Sequence, residues 1–154
     1  MKYCVGLDLS LTGTGIVVLS DAGDIIHQDL ISTKASSEIE FRLHFIAGEI
    51  IDKLLNYLPS NIVIYMEGLS FGSKGSSILE LAGLHYFIRT RFYDMGYNYK
   101  VIEPTKLKKF ITGSGKSPKS IIIKEIYKKW GEDFNNDNIA DAYALAKFSQ
   151  QERK

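Results

Sequence analysis

Three short apolar runs separated by turn-forming residues open the chain and leave its first thirty residues few strand arrangements. Tyr3 to Leu9 is apolar and β-branched, Ser10 to Gly15 is a Gly/Thr-rich turn, and Ile16 to Leu19 is a second run. Asp21-Ala22-Gly23-Asp24 forms a turn before a third strand, Ile25 to Ile31. Strands joined by such short connections pair as an antiparallel meander. Ser36-Ser37-Glu38 can start a helix, whose apolar positions Phe41, Phe45, Ile46, Ile50, Leu54 and Leu55 recur at helical spacing through Tyr57. Pro59-Ser60 breaks the chain. Ile62 to Met66 is then a continuous apolar run, as in a buried central strand, and it ends at Glu67. Gly68 to Ser77 reads as a loop, Ile78 to Met95 as a helix, and Tyr99 to Ile102 as a fifth strand. Pro104 opens a short helix reaching Phe110, Thr112 to Pro118 is a second loop, and Ser120 to Trp130 is helical. Asn135-Asn136-Asp137 offers N-cap chemistry for a last helix, Ile139 to Phe148. This succession predicts one α/β domain, 1–154, with a five-stranded mixed sheet flanked by helices.

At 154 residues and 45% hydrophobic, the chain can bury a substantial core, which sets aside disordered and fibrous classes. Its apolar runs are too short to span a bilayer, and the first fifteen residues lack an apolar core of signal-peptide length. The expectation is a cytoplasmic protein with no membrane partner. A single cysteine, Cys4, excludes an internal disulfide and a cysteine-built zinc site. Cys4 lies in an apolar run and reads as packing. The net charge of +1 hides an asymmetry: from Lys100 to Lys129, nine lysines face Glu103 and Glu125, a local +7 against −6 for the rest. Such a stretch suits a polyanion, although a solvated lysine-rich surface has the same composition.

Three acids have unusual settings. Asp8 interrupts an apolar strand just before a Gly/Thr turn. Glu67 follows the buried-looking strand, and Asp141 lies among small apolar residues in Ile139-Ala140-Asp141-Ala142-Tyr143-Ala144-Leu145-Ala146. A carboxylate in such surroundings is costly unless paired or bound to a cation. If the first and fourth strands are neighbours, Asp8 and Glu67 meet at a common sheet edge. The last helix would add Asp141, with Asp137 one turn earlier on the same face. Hard divalent cations, Mg²⁺ or Mn²⁺, would relieve the mutual repulsion, and two ions about 4 Å apart can drive phosphodiester hydrolysis. Singly, each acid has an ordinary structural reading, as a turn cap or an ion-pair partner.

Together, Gly6-Leu7-Asp8-Leu9-Ser10-Leu11-Thr12-Gly13-Thr14-Gly15, Ile64-Tyr65-Met66-Glu67 and Ala140-Asp141-Ala142-Tyr143-Ala144-Leu145-Ala146 resemble the motifs of RuvC-type Holliday junction resolvases, in particular their small phage-encoded branch. The resemblance covers nearly the whole chain. It implies an RNase H-like fold and a homodimeric endonuclease that nicks four-way or branched DNA with two Mg²⁺ or Mn²⁺ ions per site. It carries metal-ligand roles onto Asp8, Glu67 and Asp141. The sequence departs from the family three residues before the last acid, where Asn138 stands in place of an acid or histidine. Asp137, one residue earlier, is the favoured fourth member because it brings negative charge; Asn138 as a neutral ligand stays open.

By the same resemblance, Phe71 is placed to wedge at the junction crossover; Lys74, in the same loop, would suit a phosphate. Lys108, Lys109, Lys116 and Lys119 flank the second loop near the scissile phosphate and along the DNA. Packing for Phe71 and plain solubility for any one lysine are the competing readings. Two other motifs are set aside. Thr112-Gly113-Ser114-Gly115-Lys116-Ser117 imitates a P-loop, but Phe110 stands where its first glycine belongs, so no nucleotide cofactor is expected. A strand Asp followed by Gly/Thr residues, as at Asp8 to Gly15, also occurs in actin-like and sugar-kinase ATPases, which need two such domains. His27, His44 and His85 have no metal-ligand spacing. Two rival functions stay open: a junction-binding protein without catalysis, motivated by Asn138, and an RNase H-like nuclease for RNA–DNA hybrids. The helix Ile78 to Met95, with Leu79, Leu81, Leu84, Phe87 and Ile88, is the candidate dimer surface.

Overall fold

The computed structural model describes residues 2–70 and 75–153. Three strands, β1 (Tyr3–Asp8), β2 (Thr14–Leu19) and β3 (Ile25–Ile31), precede helix α1 (Ile39–Leu54). Strand β4 (Ile62–Glu67), helix α2 (Ser76–Asp94) and strand β5 (Asn98–Ile102) alternate, and helices α3 (Pro104–Thr112), α4 (Ile122–Trp130) and α5 (Asp137–Glu152) close the chain. The sheet order is β3-β2-β1-β4-β5. β1, β2 and β3 form the antiparallel meander, while β4 lies parallel to both β1 and β5. The mixed five-stranded sheet and its flanking helices are thus as the pattern of runs predicts.

Alternation along β1 and β4 assigns their side chains to two cores. Val5, Leu7, Ile62, Ile64 and Met66 pack with Ile46, Ile50 and Leu54 of α1 and Leu84, Ile88 and Phe92 of α2. Cys4 and Tyr65 face α3, α4 and α5, beside Leu107, Ile126, Tyr143 and Leu145. Cys4 is a buried free thiol. Because the side-chain period is two, Asp8 and Glu67 fall on the α5 side. β1 and β4 run in register, with Leu7 beside Met66, so the two acids end adjacent strands at one edge.

Helix α5 lies unusually close to the sheet. A Cβ at Gly6 would meet the Ala142 carbonyl oxygen at 1.7 Å, and one at Gly15 would meet the Asn138 oxygen at 2.1 Å. Bare backbone on β1 and β2, against Ala140, Ala142, Ala144 and Ala146, sets that distance. The Asn136 side chain caps the helix, accepting from the Asn138 and Ile139 N–H groups at 2.9 and 3.1 Å.

Two expectations about faces are corrected. In α1, Ile46, Ile50 and Leu54 are fully buried, but Phe41, Phe45 and Leu55 are exposed. The residue that shares the buried face one turn before Ile46 is Arg42, 6% exposed. In α2, Leu84 and Ile88 are fully buried and Leu81 packs against the same core, so these three fill this chain's own interior. Leu79 and Phe87 point outward, with Tyr86 and Tyr93. Both helices carry more apolar positions than one face can bury.

Candidate active site

Asp8 ends the central strand and is 7% exposed; Asp141 on α5 is equally buried, and Glu67 at the end of β4 is half-buried. Each of the three offers a carboxylate oxygen within 4.8 Å of the other two. Among the described residues this is the group of acids close enough to share a cation. The sheet supplies Asp8 and Glu67, and the close approach of α5 supplies Asp141.

Burial and crowding oppose ionisation here. Asp8 is held well above the usual carboxylate range by burial and by the nearby Glu67 and Asp141. Burial, and then the charge of Asp141, raise Glu67 to about 7. Burial and the closeness of the three carboxyls favour their protonated forms in the metal-free site. Burial also raises Asp141, against the pull of Lys119. The Lys119 ammonium lies 3.5 Å from Asp141. Burial alone would lower its pKa, but Asp141, Asp8, Asp137 and Glu67 together raise it. A buried group of hard oxygen donors that must otherwise hold protons suits a divalent cation, which replaces the protons with a matching charge.

The remaining sequence candidates are divided. Lys108 and Lys119 line a small pocket with Glu67 and Asp141. Lys109 and Lys116 are exposed and lie outside it. Asp137 is exposed on the first turn of α5 and outside the group of three, although its charge is felt by Asp141 and Lys119. Asn138 turns its amide toward the turn after β1, its Nδ2 3.0 Å from where a Gly13 Cβ would stand. Phe71 and Lys74 lie outside the described residues. The lysine-rich stretch is not one uniform basic face. Lys100 and Lys106 pair with Glu152, Lys128 pairs with Glu125, and Lys129 covers the Phe110 and Trp130 rings.

The turn after Asp8 is tightly cross-linked, which the residue pattern alone did not reveal. Thr14 Oγ1 accepts from the Ser10 N–H at 3.1 Å and donates to the Ser10 carbonyl at 2.7 Å. Ser10 Oγ accepts from the Thr12 and Gly13 N–H groups, both at 3.3 Å. Arg42 donates to the Leu11 carbonyl at 2.9 Å. Its sequence signal was an arginine four residues before Ile46, in line with Ile50 and Leu54.

A mixed sheet in the order 3-2-1-4-5, flanked by helices and with acids at the ends of its two central strands, defines an RNase H-like fold. The family model described as crossover junction endodeoxyribonuclease RuvC matches residues 4–148, and the chain belongs to that family. It is 26% identical over 145 residues to the crossover junction endodeoxyribonuclease RuvC of Brachyspira hyodysenteriae, covering 92% of this chain and 89% of that protein. The Thermus thermophilus RuvC structure superposes with a TM-score of 0.77 at 17% identity, covering 94% of this chain and 90% of that one. The same T. thermophilus protein in complex with a Holliday junction substrate gives 0.78 at 15% identity, covering 95% and 90%. The family is divalent-metal dependent, and the donor set formed here fits that requirement. No helix among the described residues is long and apolar enough to cross a membrane.

Proposed function

We propose that Asp8, Glu67 and Asp141 are the metal-holding acids of this endonuclease, and that it hydrolyses a phosphodiester in four-way or other branched DNA. The observation that carries the reading is the convergence of three buried carboxylates within 4.8 Å. Two Mg²⁺ or Mn²⁺ ions would supply the charge that makes water a nucleophile and the phosphate an electrophile. The chain's own part is to hold those charges in place. Lys119, beside Asp141, is placed to neutralise charge gathering on the phosphate, with Lys108 behind it. Asp137 serves as the fourth acid from the outer turn of α5, where its charge already bears on Asp141. Lys109, Lys116, Phe71 and Lys74 extend the DNA contact away from the centre.

Paired nicking needs two sites, so the working form is a homodimer. The exposed apolar residues Leu79, Tyr86, Phe87 and Tyr93 of α2 are the surface offered for it. Access to DNA places the work in the cytoplasm of a bacterium or phage-infected host, with no nucleotide cofactor. The direct test is Asp8→Asn on a synthetic four-way junction, in Mg²⁺ and in Mn²⁺. Loss of nicking with junction binding retained is expected; undiminished cleavage would overturn the assignment. A metal titration of Asp137→Asn and Asn138→Asp, read by calorimetry, separates the two candidates for the fourth position. Weakened binding in the first variant supports Asp137, and unchanged binding there with a gain in the second assigns the position to residue 138.

A further inference from the structure

On the face of the sheet opposite the acids, a cleft opens between the turn after Asp8, the N-terminal half of α1 and the first turns of α2. Ser10, Thr12, Arg42, Ser77 and Glu80 line it. Arg42 is 94% buried in the wall, since only 6% of it is exposed. Its Nε donates to Thr33 Oγ1 at 2.9 Å and its Nη2 to the Leu11 carbonyl at 2.9 Å. The Thr33 hydroxyl donates to that same carbonyl. Both acceptors are neutral. The guanidinium's three other N–H donors have no acceptor among the described residues, and no carboxylate there lies within 4.0 Å of it. Glu80 shares the cleft but stands beyond that distance. The Arg42 Nη1 is not among the buried unpartnered polar atoms, so it opens on the cleft, where a cation held only by neutral groups can take an anion. A guanidinium's planar fork matches two oxygens of a phosphate, and the Ser10–Thr12 hydroxyl pair, 3.4 Å apart, leaves one O–H to donate at the cleft.

We infer that this cleft is a second backbone-phosphate site, in which Arg42 receives a DNA phosphodiester one turn of chain away from the acids. The inference rests on the nuclease reading. DNA lying across the carboxyl edge of the sheet would then be gripped on both faces, by Lys108 and Lys119 on one and by Arg42 on the other. The tie from Arg42 to Leu11 would couple that grip to the turn that follows Asp8.

The test measures binding of a labelled four-way junction in Ca²⁺ across a salt series, for wild type, Arg42→Gln, Arg42→Lys and Glu80→Gln. A lost phosphate contact should weaken Arg42→Gln about tenfold and lower the slope of log affinity against log salt by about one. Arg42→Lys should keep the slope, because the charge stays. Glu80→Gln should bind about two- to threefold tighter, because a carboxylate leaves the cleft. An unchanged slope in folded Arg42→Gln, with unchanged affinity in Glu80→Gln, would overturn the inference. If thermal melting shows Arg42→Gln unfolded, the Glu80→Gln affinity decides alone. A wild-type protein that binds no junction overturns the functional reading instead, so the two failures are distinguishable.

Discussion

Glu67 has a carboxyl raised from 4.5 to about 7, so the folded, metal-free protein holds a proton that the unfolded chain releases. The stability from this group is therefore full below about 4.5 and is lost as pH rises through about 7, on the order of 3 kcal/mol. Asp8 and Asp141 shift in the same direction. In a chelator, the melting temperature should fall from pH 5 to pH 8, and divalent metal should restore it at the upper end. Glu67→Gln should flatten the metal-free profile; an unchanged fall in that variant would assign the proton elsewhere. Metal affinity should climb over the same range, since binding displaces protons. Lys119→Met leaves Asp141 without its 3.5 Å partner and the phosphate without a counter-charge. It should cost about 10²-fold in turnover, measured under saturating metal.

At the scale of elements, the distance between α5 and the sheet controls whether Asp141 reaches the two strand acids. Gly6→Ala would drive a methyl into the Ala142 carbonyl, a separation of 1.7 Å that forces the helix outward. It should cost about 3 kcal/mol in denaturant unfolding and weaken metal binding as well. Unchanged metal affinity in a destabilised Gly6→Ala would show that the spacing is not what holds the acids together. The short strands and the alanine-rich last helix were readable because their patterns are local. Helix α1 was harder: Phe41 and Phe45 continue the apolar spacing, yet they stack on each other, exposed, with ring centroids 5.9 Å apart. A helix with two overlapping apolar stripes does not specify which one meets the sheet, and the arginine between them concealed the answer.

For the molecule as a whole, the sheet order sets which surfaces remain for DNA and for a second copy. Placing β1 beside β4 brings residues 59 positions apart in sequence to one edge, as with Asp8 and Glu67. On α2, the turn-by-turn split leaves Leu84 and Ile88 inside and Leu79, Tyr86, Phe87 and Tyr93 outside. Phe87→Glu, which burdens only the outer stripe, should shift sedimentation from dimer to monomer and convert paired nicks into single ones. A monomeric wild type would remove that role from the helix. The net local charge of +7 overstates the lysine surface, because Glu152, from outside the stretch, pairs with Lys100 and Lys106.

The amino-acid sequence by itself determined the five strands, the helices between them and three acids in settings that make an isolated charge expensive. Hydrophobic period and turn chemistry act over a few residues, so they are written locally. Which acids share a site depended on sheet order, register and the approach of α5 over Gly6 and Gly15. Those are properties of packing between distant segments. Only the tertiary structure therefore gathered Asp8, Glu67 and Asp141, set Asp137 on the outer turn, and buried Arg42 where no carboxylate among the described residues pairs with it.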